Sequence, residues 1–183
     1  GIPSRTRATL NELRAEVSRL SAVLESVEEQ GMMGLERTSW QLAEIGMQAE
    51  NALDRLSTAT DAPQAVYEID QELGGAGAVL QELDTLLGEA SEARGRAQNL
   101  LARVYSALDL AEERWKVLRT LGAAEPDVQA AGESLRARAN RLPELERSAS
   151  LDRYQKVTRE ALSLDTDIQA WVLRLDALDE RMR

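Results

Sequence analysis

A chain of 183 residues, 43% hydrophobic and 30% charged, can bury a sizeable core as one large or two small domains and is not compositionally disordered. It has no Cys and no His, which excludes disulfides, thiolate nucleophiles, the common zinc sites, histidine-ligated haem and imidazole acid–base chemistry. The net charge of −10 sits in the first half: residues 1–89 carry 6 basic and 16 acidic side chains, and residues 90–183 carry 16 of each. An acidic half repels phosphate backbones and anionic lipid and suits a basic protein surface, although a solvated helical face has the same composition.

Aromatic residues are only 3%, and Ala, Leu, Glu and Arg, which lose little on entering a helix, dominate. The first helical run is Leu10, Leu13, Val17, Leu20, Leu24 and Val27, in steps of three and four along one face. Gly31-Met32-Met33-Gly34 ends it, because two glycines in four residues supply the positive-φ positions of a turn. A second run follows through Leu35, Leu42, Ile45, Ala49, Ala52 and Leu56, fading at Ser57-Thr58-Ala59-Thr60. Asp61 reads as the N-cap of a third helix, with Pro63 in its first turn.

The third run passes through Val66, Ile69, Leu73, Ala76, Leu80, Leu83, Leu87, Ala90, Arg94, Ala97, Leu101, Val104, Leu108, Ala111, Trp115 and Leu118. Its phase holds across Gly88 and Ser91, which predicts one continuous helix over 62–121, about 90 Å long. Gly122 ends it, with Pro126 beyond. A fourth helix carries Val128, Ala131, Leu135, Ala139 and Leu142 and is stopped or kinked at Pro143. After a turn and cap at Ser148-Ala149-Ser150, the last run is Tyr154, Val157, Ala161, Leu164, Ile168, Trp171, Leu175, Leu178 and Met182.

These elements predict an all-α protein of two tandem antiparallel three-helix coiled-coil bundles, 1–89 and 90–183, sharing the long central helix. A shift of 88 places Val66, Ile69, Leu73, Leu80 and Leu87 onto Tyr154, Val157, Ala161, Ile168 and Leu175, a repeat of pattern rather than of identity. In this arrangement the chain resembles the spectrin repeat, whose last helix runs into the first helix of the next unit. The bacterial form of that family is the spectrin-like rod of the septation-ring regulator. Spectrin repeats favour a Trp in the first helix; Trp115 takes that place in the second unit, whereas the first-helix seam of the first unit has Leu24 and no Trp. The units are also shorter than is usual in the family. The resemblance implies a spacer or scaffold that presents binding surfaces, in the cell envelope or in division. An excess of Arg over Lys, 20 to 2, is the bias of GC-rich coding and points to a bacterial source.

No seam position is a carboxylate, and Arg94 is its one charged residue, so no catalytic, metal or cofactor site is expected and the chain is read as non-enzymatic. Gly74, Gly75 and Gly77 have no strand before them and so form no phosphate loop. Each costs roughly 1 kcal/mol against Ala inside a helix, which close helix packing, a bend or a partner groove would account for. Met32 and Met33 at the hairpin tip offer either a bundle cap or an adaptable contact. Trp40 lies off its seam beside them and is the candidate exposed contact; Trp115 and Trp171 are on seams and belong to the core. Gly88, Arg94 and Gly95 are the candidate hinge at the handover between units, with a structural ion pair at Arg94 as the plainer reading.

The function expected is a structural scaffolding module, monomeric or weakly dimeric, that binds other proteins with basic surfaces and no nucleic acid. One alternative is a dimeric coiled-coil oligomerisation module, which four break signals oppose. The other is a membrane-surface-binding or remodelling helical domain, for which the Arg-rich stretch Arg136 to Arg147 is the only basic face. No apolar run approaches the roughly 18 residues of a spanning helix. The expectation is a soluble segment, beginning at Gly1, of a longer protein whose membrane anchor would lie outside it.

Overall fold

The computed structural model describes all 183 residues, and the protein is all-α. Its helices are α1 (Ile2–Glu29), α2 (Glu36–Thr58), α3 (Ala62–Leu73), α4 (Ala76–Thr120), α5 (Pro126–Arg141) and α6 (Leu151–Met182). No helix is long and apolar enough to cross a membrane. The chain divides into two compact units, Gly1–Glu92 and Ala93–Arg183, and the division falls inside α4.

The turns are made by the residues whose chemistry demands them. Gly31, Gly34 and Gly122 take positive φ (98°, 82° and 103°), which a Cβ would oppose. Asp61 caps α3 by accepting from the Gln64 amide at 3.2 Å, and Ser150 caps α6 by accepting from the Arg153 amide at 3.2 Å. The last residue of α5 is Arg141, two before Pro143, and Leu142 is already extended.

In the unit 1–92, α1 and α2 run antiparallel about the Gly31–Gly34 turn: Arg14 reaches Glu50 at 3.3 Å, and a Cβ on Gly46 would lie 3.3 Å from Val17. Arg55 of α2 holds Glu72 of α3 through two hydrogen bonds of 3.1 and 2.7 Å. Arg19 of α1 bridges Glu16 and, at 2.9 Å, Asp84 of α4. Hydrogen bonding from Arg19 holds the Glu16 carboxyl below its ordinary range, against a small opposing effect of burial. The stability this pair adds is therefore present above the unfolded carboxyl value and lost as pH falls through the lower folded one. Exposure to solvent keeps it small. The core consists of the seams: Leu10, Leu20, Leu24 and Val27 from α1, six seam residues from Leu35 to Leu56, and Val66, Ile69 and Leu73 from α3 are all buried.

One expectation is corrected. The run 62–121 is not one helix, because α3 ends at Leu73 and α4 begins at Ala76. Gly74 keeps right-handed dihedrals (φ −60°, ψ −26°), so the chain opens locally without reversing. A Cβ on Gly74 would stand 2.6 Å from the Asp70 carbonyl oxygen, whereas one on Gly75 or Gly77 would meet nothing within 4 Å. Gly74 is thus the glycine that the break requires. Beyond it the register of the seam continues, and all fifteen apolar positions from Val66 to Leu118 are buried.

In the unit 93–183, α5 runs antiparallel to α4: Arg136 donates to Asp109 at 2.6 Å and to both Glu112 oxygens, and the Tyr105 hydroxyl donates to the Ala139 carbonyl at 3.2 Å. Helix α6 lies along both, with Arg103 to Asp165 at 3.2 Å from α4 and Arg138 to Asp167 at 2.5 Å from α5. Its seam from Tyr154 to Leu178 is wholly buried. The Tyr154 hydroxyl is enclosed there with no hydrogen-bond partner. An enclosed, unpartnered hydroxyl costs desolvation and returns nothing. Tyr154→Phe should therefore leave stability unchanged or raise it by about 1 kcal/mol in urea unfolding; a loss above about 1 kcal/mol would mean that the hydroxyl has a partner after all.

Candidate functional site

In the unit 1–92, a shallow groove of about 280 Å³ runs between α2 and the α3–α4 break. Its α2 wall is Trp40, Glu44 and Gln48, successive residues four apart and therefore stacked along one helical stripe, with Ile45 beside them. Across from them lie Glu72, Gly75, Ala76 and Val79. Trp40 is 64% exposed, the largest side chain presented to solvent. Because α3 and α4 do not join smoothly here, Gly75 brings bare backbone to the groove, and nothing stands where its Cβ would be.

The electrostatics of this groove are one-sided. Glu72 is engaged by Arg55. Hydrogen bonding to Glu72 raises the Arg55 guanidinium above its ordinary value, so this cation stays charged and committed. The half-buried Glu44 has neither an ion pair nor a hydrogen bond. The unit as a whole has 6 basic and 17 acidic side chains, too few cations to neutralise its carboxylates.

Of the residues singled out from the sequence, Trp40 and Gly75 are brought together here. Gly74 underlies the break, and Gly77, the second residue of α4, is exposed without lining the groove. Met32 and Met33 do not make a joint surface: they occupy an extended segment, whose successive side chains point to opposite sides, so Met32 is buried and Met33 is 58% exposed. Of the two expected contacts at the hairpin tip, only Met33 reaches solvent. Gly88, Arg94 and Gly95 all lie within unbroken α4 helix. Arg94 is half-buried, and Ala93 is buried beside it. Glu44, Ile45 and Val79 were missed in the sequence; the signal for Glu44 was its place one turn after the off-seam Trp40.

A larger groove of about 690 Å³ lies in the unit 93–183 between α4 and α5, over the edges of Trp115 and Trp171. Its polar groups are used internally. Arg136 is clamped by Glu112 and Asp109, which raises its guanidinium above the ordinary value, and Lys116 pairs with Glu113 at 3.1 Å. Gln129 accepts from Trp115 Nε1 and donates to Glu133 at 2.8 Å. The two tryptophans are core residues, 6% and 2% exposed. There is no group of three or more carboxylates placed to hold a metal ion.

Comparison with protein-family models, with curated proteins and with solved structures finds no match to this chain.

Trp171 shows how tightly the second groove is fixed. Its Nε1 donates to the Val128 carbonyl at 2.9 Å, and its ring fills the space above Gly132, where a Cβ would come within 2.5 Å of Cζ2 and 2.8 Å of Cη2. Gly132→Ala should cost about 1–3 kcal/mol in chemical denaturation despite the better helix propensity of Ala. A neutral or stabilising result would mean that the Trp171 ring shifts freely.

Proposed function

We propose that the chain is a non-catalytic structural module of the spectrin-repeat type. It is an elongated helical spacer of two tandem antiparallel three-helix units, whose surface binds other proteins. The reading rests chiefly on α4. Its 45 residues run without interruption through the division at 92/93, and its seam supplies core residues on both sides of it. A helix used in that way serves as a spacer, because bending it would disturb two cores at once. The exposed Trp40 beside an unneutralised carboxylate supports the binding half of the reading, since an exposed aromatic in a groove is the kind of anchor that protein interfaces use.

Small-angle X-ray scattering, with molar mass measured on the same chromatographic peak, tests this. About 60 helical residues from α3 through α4 span about 90 Å, and a rod of that length has a radius of gyration of about 26 Å. A compact chain of 183 residues has about 16 Å. The proposal expects a monomeric mass and a value near the larger figure; a value near the smaller one overturns the spacer.

A further inference from the structure

Four properties of the α2 groove, taken together, define what it can hold. First, its volume of about 280 Å³ lies just below the range of small-molecule pockets, about 300–1,000 Å³, and matches one or two side chains of a longer ligand. Second, its apolar floor of Ile45, Ala76 and Val79 rewards an aliphatic side chain. Third, Trp40 offers an indole face, and Glu44, one turn on, offers an uncommitted carboxylate. An indole and a carboxylate on the same stripe satisfy a single cation twice, by its attraction to the ring and by an ion pair. Fourth, the surrounding unit has 17 acidic side chains against 6 basic ones, so a cationic segment is drawn to it and an anionic one is repelled.

We propose that this groove docks a basic amphipathic segment of a partner protein, with an Arg or Lys set against Trp40 and Glu44 and an aliphatic side chain on Ile45 and Val79. The inference deepens the protein-binding reading above and rests on it. Arg is the better fit of the two cations, since its planar guanidinium stacks on the indole while its edge meets the carboxylate. Bare backbone at Gly75 lets the segment lie close, without a side chain holding it off. An acidic membrane surface would meet the same 17 carboxylates and be repelled, which favours a protein ligand over lipid.

The test is isothermal titration of the whole chain with two synthetic amphipathic peptides of equal length, both with leucines on one face, one with arginines and the other with glutamates opposite. The arginine peptide is expected to bind at least about tenfold more tightly than the glutamate peptide. Trp40→Ala should weaken it about tenfold and Glu44→Gln about fivefold, with thermal unfolding unchanged because both side chains reach solvent. Glu12→Gln removes the same charge from α1 outside the groove and should leave affinity within about twofold. If all three variants bind alike, the attraction is diffuse charge and the site is overturned, as it is if neither peptide binds. If the glutamate peptide binds as tightly and Trp40→Ala abolishes it, the basic chemistry is overturned while docking at Trp40 stands. The scattering experiment decides the spacer reading independently of every peptide result.

Discussion

Everything in this fold depends on one constraint, the three-four spacing of apolar side chains along α3 and α4. It holds from Val66 to Leu118, and each of its fifteen apolar positions is buried. Each fully buried aliphatic side chain is worth about 1.5–3 kcal/mol of transfer free energy, most of it offset by the entropy of ordering the chain. A seam with one missing residue would therefore be felt on whichever side of the 92/93 division it fell. The surface ion pairs add orientation more than stability. Arg19, Arg103 and Arg136 each tie α4 to a neighbouring helix at a partly exposed position, where screening leaves such pairs worth little.

The same spacing explains what could be read from the sequence. Where apolar side chains mark the period, the helices, and the caps at Asp61, Ser150 and Gly122, follow from local chemistry. Where a polar residue or a glycine holds the period, or two neighbours compete for the inward place, the sequence is silent. Thr38 is buried between Leu35 and Leu42 and completes the steps that those two leave open. Gly132 is buried while Ala131, the more hydrophobic neighbour, is only half-buried, because the Trp171 ring needs the space above the backbone. Ala93 similarly takes the inward place beside Arg94. The break at Gly74–Gly75 was visible only as a cluster of glycines; its position follows from the Asp70 carbonyl, which leaves no room for a Cβ at Gly74.

The candidate site divides along the same line. An off-seam Trp is legible as a residue with no core to enter. Its company is not legible, because Glu44 and Gly75 meet only once α2 has packed against the α3–α4 break. The break thus has a consequence at the surface: three helix-weakening glycines leave the seam intact and expose backbone next to the most exposed indole of the chain. The second groove illustrates the contrary case. It is larger, but its charged groups are already bonded to one another or to the Gln129 amide and its tryptophans already belong to the core, so it has little left to offer a ligand.

The central claim is that α4 runs unbroken through the division between the two units, across Gly88, Arg94 and Gly95. Native-state amide hydrogen exchange, resolved by residue, tests it most directly. The account predicts slow exchange without a gap over residues 84–104, the amides of positions 88 and 95 included, and fast exchange only at the first amides of α4 beside the Gly74–Gly75 break. A patch of fast exchange confined to residues 88–95, between protected flanks, would contradict it and make this stretch a hinge.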